Sequence, residues 1–137
     1  MTAITTERDT QRRAGDRVAY GVLAATKVLA GTLAVLTAAG YAQGGATATT
    51  LKAVGVFNET VDNTAGASGD VKAPVRNDGW FHFANSAAGD LITIADINNN
   101  CYIVDNQTVA KTDGGATRSI AGKVRDVDAT GVWIEFI

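Results

Sequence analysis

The residues of this chain best suited to nucleophilic and acid–base chemistry are a single cysteine, Cys101, and a single histidine, His82. A catalytic cysteine requires a base close to its sulfur, and His82 is the one imidazole that the sequence offers. Both residues lie inside apolar runs, and no spacing in the sequence brings the two runs together. We therefore expect Cys101 to be a buried structural thiol and His82 to be a packed or interface residue.

Other motifs that resemble catalytic or ligand-binding patterns are weak. Neither Gly44-Gly45 nor Gly114-Gly115 is followed by the Lys-Ser/Thr of a phosphate loop. A single cysteine excludes a disulfide framework and any multi-cysteine metal site. No pair of carboxylates has a convincing spacing for acid–base work. We expect no catalytic residue, no cofactor and no bound metal, and hence a protein that is not an enzyme.

A Gly-Asp pair precedes several apolar runs, at Asp16, Asp70 and Asp90. Aspartates can bind Ca²⁺, but these lie far apart and no loop has the dense carboxylate spacing of a calcium site. The pattern is more typical of a turn, in which glycine supplies an open backbone conformation and aspartate accepts a nearby N–H. We interpret these residues as turn formers at strand entries.

The composition favours one small domain that assembles with other molecules. The chain has 137 residues and a net charge of −2, which disfavours direct nucleic-acid binding. Charged residues make up 19%, below the roughly 25% of ordinary soluble domains. Many of the hydrophobic residues are alanine, so large anchoring side chains are few. These features are more typical of a packing or assembly module than of an enzyme.

The longest apolar stretch, residues 18–40, is not predicted to span a membrane. Lys27 lies inside it, and a central lysine costs roughly 2.5–3.5 kcal/mol on insertion scales. The alanines and threonines around it offset almost none of that cost. A secretory signal is also disfavoured by the acidic residues near the start, such as Glu7 and Asp9. We expect a soluble protein made in the cytoplasm, with no membrane partner.

Residues 1–17 are expected to form an extended N-terminal arm. The segment carries Arg8, Arg12, Arg13 and Arg17 and has almost no large apolar side chain. Such a segment buries too little surface to offset its ordering entropy when alone. Either it is a plain disordered tail, or it becomes ordered on a partner whose carboxylates bind its arginines.

Residues 18–137 are predicted to form a mainly β domain, a small barrel or sandwich of short strands. Threonine and valine are abundant, helical periodicity is scarce, and turn signals recur every 8–12 residues or so. The predicted strands are residues 17–22, 28–36, 52–58, 70–76, 80–84, 91–95, 101–104, 119–126 and 132–137.

The clearest hairpin signal is Asp78-Gly79, which suits the positive φ angles of a type I′ turn. We expect it to join a strand at residues 71–76 to a strand at residues 80–84. Pro74 lies in the first of these strands and cannot donate to a ladder. That strand is therefore expected to be an edge, or to contain a bulge at the proline.

The C-terminal run shows the strictest alternation in the chain. Residues of one parity, expected to line the interior, are Val132, Ile134 and Phe136. Residues of the other parity, expected to point outward, are Trp133, Glu135 and Ile137. Large apolar side chains on an outward face often mark a contact. We expect Trp133 to lie in an interface, with Glu135 at its rim pairing with a basic residue.

Residues 30–137 resemble the small capsid cement, or head decoration, proteins of tailed bacteriophages. The segments that carry the resemblance are AGTLAVLTAAG (residues 30–40), LKAVGVFNETV (51–61), SGDVKAPVRNDG (68–79), AAGDLITI (87–94) and IAGKVRDVDATGVWIEFI (120–137). Their order and spacing match over roughly four fifths of the chain.

The resemblance implies a structural virion protein that binds the outer surface of the phage capsid. Such a protein bridges neighbouring major capsid subunits and stabilises the shell. Its partners would be the major capsid protein and itself, as a homotrimer first and a dimer second. The residues expected at capsid or subunit contacts are Arg8, Arg12, Arg13, Arg17, Trp80, Phe81, Trp133 and Glu135.

Two other functions remain open. One is a β-fold carbohydrate- or cell-surface-binding module in which Trp80, Phe81 and Trp133 stack on the ligand. The other is an enzyme or an enzyme accessory domain with a β-barrel fold. An exposed Trp/Phe pair beside a concave polar site favours the carbohydrate-binding module, whereas a pair buried at a subunit contact favours the capsid protein.

Overall fold

The computed structural model describes residues 2–137, and regular structure begins at Arg17. Residues 2–16 are exposed and form no helix or strand. The backbone oxygen of Asp16 accepts a hydrogen bond from the Asn77 N–H at 3.0 Å, which fixes the root of the arm. Met1, the first residue of the expected arm, lies outside the described residues. The described part of the arm therefore projects from a folded body that starts at Arg17.

The body is mainly β, as the sequence predicts. Two 3₁₀ turns lie at Ala88–Asp90 and Ile94–Asp96. The strands of the described chain are β1 (Arg17–Gly21), β2 (Thr26–Val28), β3 (Leu33–Leu36), β4 (Ala42–Gly44), β5 (Lys52–Phe57), β6 (Val61–Asn63), β7 (Lys72–Arg76), β8 (Trp80–Asn85), β9 (Asn100–Ile103), β10 (Thr108–Ala110), β11 (Ile120–Asp128) and β12 (Gly131–Glu135).

The N-terminal half is a curled antiparallel sheet in the order β1-β7-β5-β3-β4. A parallel bridge between Val22 and Ala42 joins the residue after β1 to β4, so the two ends of the sheet meet. The β2–β6 ribbon lies beside this sheet. The apolar cluster of the N-terminal half includes Val22, Val28, Ala34, Phe57 and Val75.

The C-terminal half is a closed barrel in the order β10-β8-β12-β11-β9. Its core includes Ile103, Val109, Val132 and Ile134, each with no exposed surface. All pairs around the barrel are antiparallel except β8 with β10. Closure leaves the interior to side chains of one parity and turns the other parity outward.

Strand β3 and the second half of β5 join the two halves because both faces of these segments are buried. On β3, Leu33 and Val35 belong to the barrel cluster, whereas Ala34 belongs to the N-terminal cluster. On β5, Val56 and Phe57 divide in the same way. A strand that is buried on both faces has a continuous apolar sequence, as the segment LAVL of β3 does.

Several strand predictions are wrong in detail. The predicted strand at residues 28–36 is divided into β2 and β3 by a turn in which Thr32 Oγ1 donates to Leu29 O at 2.7 Å. The predicted strand at residues 91–95 is absent, and the 3₁₀ turn at Ile94–Asp96 begins there. Asp96 Oδ2 accepts the Thr93 N–H at 2.8 Å, and this cap favours the turn over an extended strand.

The predicted β7–β8 hairpin is also wrong. Strand β7 pairs with β1 and β5, whereas β8 pairs with β12 and β10 in the barrel. Gly79 has a φ of +90°, but Asp78 does not have the positive φ that a type I′ turn needs. The chain therefore crosses from one sheet to the other, because Val75 packs in the N-terminal cluster and Phe83 packs in the barrel.

Pro74 lies in an interior strand, not in an edge strand, and no bulge occurs at it. The ladder from β7 to β5 covers only Val75 and Arg76, so it ends before the proline. Pro74 O accepts the Asn58 N–H at 2.9 Å, just past the end of β5. The backbone nitrogen and oxygen of a strand residue point to the same side, so the nitrogen of Pro74 also points toward the β5 side. The ladder with β5 has already ended there, and the missing N–H therefore costs no ladder hydrogen bond.

Candidate functional site

The strands β8, β11 and β12 present a polar and aromatic outer surface on the barrel. In the β8–β12 ladder His82 lies opposite Trp133, and Trp80 lies opposite Glu135. Val132, Ile134 and Phe136 are buried, which confirms the predicted inward parity of the C-terminal strand. We call the opposite surface the outer barrel face; it consists of Trp80, His82, Arg125, Asp128, Trp133 and Glu135.

Trp133 is half-buried and is held by residues of its own chain. Its indole Nε1 donates to Asp128 Oδ2 at 3.0 Å. Its ring lies 5.0 Å from the ring of His82, in an edge-on arrangement. A Cβ on Gly131 would collide with Phe83 O and the His82 ring, so glycine is required where the two strands approach. The ring of Trp133 is therefore preorganised on the surface.

Asp128 is a fixed negative charge at the turn between β11 and β12. Its Oδ1 accepts hydrogen bonds from Thr130 Oγ1 at 2.6 Å, from Thr130 N at 2.8 Å and from Gly131 N at 3.0 Å. The Thr130 hydroxyl, followed by the Trp133 indole, holds the pKa of this carboxyl well below its usual range. Asp128 therefore stays ionised in neutral and mildly acidic solution.

His82 contacts the same group but is not arranged as the base of a catalytic triad. Its Nε2 lies 3.2 Å from Thr130 Oγ1 and 3.5 Å from Asp128 Oδ1. Because the Thr130 hydroxyl donates to Asp128, its oxygen can accept a hydrogen bond from His82 Nε2. In a Ser-His-Asp triad the imidazole lies between hydroxyl and carboxylate, whereas here the threonine does. This order does not activate a nucleophile.

Glu135 pairs with a basic residue, but that residue belongs to the same chain. Arg125 donates to Glu135 Oε1 from Nε at 3.1 Å and from Nη2 at 2.7 Å. Arg125 Nη1 also donates to Asn98 Oδ1 at 2.7 Å. Trp80, opposite Glu135, is 53% exposed. Trp80 is thus the ring of this face that is most available to a partner.

Phe81 lies on the other face of β8 from Trp80. Its ring centroid lies 5.6 Å from that of Phe136 at the end of the barrel core. The guanidinium of Arg76 covers the Phe81 ring at 5.9 Å. The structure therefore places Phe81 in packing within the chain, away from the outer barrel face.

The structure does not bring the predicted arginines together with the outer barrel face. Arg8, Arg12 and Arg13 lie on the exposed arm, and Arg8 Nη1 donates to Thr10 Oγ1 at 2.9 Å. Arg17 opens β1 opposite Arg76. Within residues 2–137, none of the four predicted arginines forms an ion pair. Their charges remain available to carboxylates of another molecule.

Cys101 is a buried structural thiol, as expected. It has no exposed surface, and its Sγ lies 3.5 Å from Gly122 O. Burial raises the pKa of the thiol to about 12. His82 lies on the outside of the barrel, so the two residues do not form a nucleophile–base pair.

Across residues 2–137, no three His, Cys, Asp or Glu side chains lie close enough to hold a metal ion. No helix within this range is long and apolar enough to cross a membrane.

Asp70 acts as the expected turn former, because its Oδ2 accepts the Ala67 N–H at 2.9 Å.

Sequence reasoning missed Arg125 and Asp128 as members of the outer barrel face, and Thr130 as the residue that donates to Asp128. The segment from Asp128 to Gly131 has the composition of a tight turn, and a tight turn places an aspartate beside the strand that follows. That signal was sufficient to pair Asp128 with Trp133.

Comparisons of the chain with models of known families, with curated proteins and with solved structures found no match.

Proposed function

We propose that this protein is a structural virion protein that binds the outer surface of a phage capsid and stabilises contacts between major capsid subunits. The sequence segments described above suggest this class of protein, and the outer barrel face is the single observation that supports it most. Trp80 is 53% exposed beside the paired charges of Arg125 and Glu135. An exposed ring bordered by charged groups is the usual anatomy of a protein–protein contact.

The outer barrel face suits a contact that must form many times on a lattice. Hydrogen bonds hold Asp128 and Trp133, so little side-chain freedom is lost when a partner covers them. Tryptophan residues at interfaces often cost at least about 2 kcal/mol on truncation. Weak contacts of this kind add through multivalency when many copies bind one shell.

The arm offers a second contact of different chemistry. Arg8, Arg12 and Arg13 extend from the body without ion-pair partners in the described chain. Arginine pairs with carboxylates through two parallel hydrogen bonds, which suits acidic loops on a capsid surface. Self-association as a homotrimer, or second as a dimer, belongs to the same proposal.

Co-sedimentation with empty shells tests the proposal. The shells are assembled from the major capsid protein encoded in the same genome. Wild-type protein is expected to pellet with them, and Trp80→Ala is expected to lower the affinity at least about tenfold. The matched control is Leu29→Ala, because Leu29 is 45% exposed and directly follows β2 in the N-terminal half, outside the barrel. Absence of wild-type binding, or equal loss in both variants, contradicts the proposal.

The second candidate is a carbohydrate- or cell-surface-binding module. The exposed ring of Trp80 beside Arg125 and Glu135 supplies the stacking surface and the hydrogen-bonding groups of a sugar site. Phe81 faces away, however, so the expected platform of three aromatic rings does not form. Saccharide binding that Trp80→Ala abolishes, together with no binding to shells, would establish this alternative.

A further inference from the structure

An apolar groove lies between the first halves of β5 and β11, outside the outer barrel face. Its apolar lining residues are Leu51, Val54, Ile120 and Ile137. Ile120 is 47% exposed and Ile137 is 77% exposed. We call it the β5–β11 groove. Folding of one chain leaves Ile120 and Ile137 uncovered beside the half-buried Leu51 and Val54, which marks the groove as a contact surface.

One wall of the groove is an unpaired strand edge. Lys52 and Ala53 of β5 pair with β3 on one side, and Val54 is the extra residue at a shift in this register. On the other side β7 reaches only Val56 and Phe57. In the described chain, no strand therefore forms a ladder with residues 52–54 on the side away from β3. An open edge beside an apolar groove is the arrangement that accepts an added strand.

The start of the arm has the sequence of such a strand. Residues 2–6 are uncharged and consist of threonine, alanine and Ile4. Threonine and isoleucine favour extended backbone. Ile4 is 64% exposed and is the only large apolar side chain within residues 2–16. Without a partner, Ile4 has nothing apolar to pack against.

The charges of the arm and the groove also match. Lys52 and Asp113 line the groove, and neither forms an ion pair within residues 2–137. Glu7 and Arg8 follow the uncharged segment of the arm. The charge of Glu7 is complementary to that of Lys52, and the charge of Arg8 is complementary to that of Asp113.

We propose that the N-terminal segment, residues 2–8, of one copy binds in the β5–β11 groove of a second copy. Ile4 packs between Ile120 and Ile137, and the segment adds a strand to residues 52–54. The inference rests on the proposed function for its purpose, because it supplies contacts between neighbouring subunits on a shell. Its test uses the free protein alone, so either proposal can fail while the other stands.

The length of the arm favours a second copy over the same chain. The root at Asp16 is hydrogen-bonded to Asn77, which lies at the end of the groove near Val54 and Ile137. Ile4 is 12 residues before Asp16, so an extended arm carries it about 40 Å away. Residues 52–54 span only about 10 Å of strand. An extended arm therefore passes its own groove and reaches a neighbour.

Disulfide trapping tests this inference. The variant carries Ile4→Cys and Ile120→Cys, and the buried native Cys101 does not interfere because it has no exposed surface. Mild oxidation is expected to give covalent oligomers of the free protein. The matched control replaces Ile120→Cys by Ile94→Cys, since Ile94 is 62% exposed and lies outside the groove. It is expected to give at least about tenfold less product.

Three outcomes overturn the inference. A disulfide within one chain shows that the arm folds onto its own groove. Equal trapping of the control shows random collision, and no trapping shows that the groove does not bind the arm. As an independent check, Lys52→Glu is expected to weaken self-association at least about fivefold, and adding Glu7→Lys is expected to restore it. Failure of the double variant to recover contradicts the proposed charge pairing.

Discussion

The two faces of the C-terminal strand are expected to respond differently to truncation. Phe136 is 9% exposed and packs 5.6 Å from Phe81 and 6.1 Å from Phe83, measured between ring centroids. Phe→Ala in a core costs roughly 3–5 kcal/mol. Because Phe136 follows the last residue of β12 and keeps slight exposure, we expect a loss of about 3 kcal/mol.

Truncation of Trp133 is expected to cost less. Its ring is half-buried, and the variant loses the edge-on contact with His82. An aromatic pair contributes about 0.5–1.5 kcal/mol beyond its area, so Trp133→Ala should cost about 1–2 kcal/mol. Trp133→Phe, which keeps a ring but removes the donor to Asp128, should fall between this variant and the wild type.

Urea unfolding followed by far-UV circular dichroism measures both changes without relying on tryptophan fluorescence. Domains of this size are stable by about 5–15 kcal/mol, so both variants are expected to remain folded in water. A larger loss for Trp133→Ala than for Phe136→Ala would refute the assignment of the two faces. Loss of shell binding by Trp133→Ala with unchanged unfolding is not expected, because this ring also packs within its own chain.

Three further outcomes are expected. The folded-state pKa of Asp128 is depressed, so the wild type should exceed Asp128→Asn in free energy of unfolding by its full amount above about pH 4 and lose this difference as the pH falls further. Thermal melts across this pH range measure the difference, and a difference that does not change with pH contradicts the prediction. Gly79→Val should cost more than about 1 kcal/mol because φ is +90°, and more than Gly89→Val, which has open space and no positive φ; equal melting midpoints contradict this. Cys101 should resist a thiol reagent at about pH 8 until urea unfolds the chain, and rapid labelling of the folded protein contradicts its burial.

Local patterns predicted the fold class and the environment of several residues. The alternation of Val132, Ile134 and Phe136 gave their burial correctly, because period-two patterning depends only on neighbours along one strand. Burial of Cys101 followed from its position in an apolar run for the same reason. The buried face of a strand with such alternation can be predicted without knowing which strands it pairs with.

Features that depend on distant pairing were not predictable. Strands β4, β6 and β10 have three residues each, too few for a pattern to register. The chain changes sheets between β7 and β8 because their apolar residues belong to different clusters, which no turn motif reveals. The pairing of Glu135 with Arg125 depends on the register of β11 against β12, including its irregularity between Val124 and Asp126.

Electron cryomicroscopy of shells incubated with this protein tests the central claim most directly. The shells are those assembled from the major capsid protein encoded in the same genome. The account predicts added density on the outer shell surface, with Trp80 and the outer barrel face turned toward the capsid subunits. Bare shells at saturating protein, or bound protein whose outer barrel face points into solvent, would contradict it.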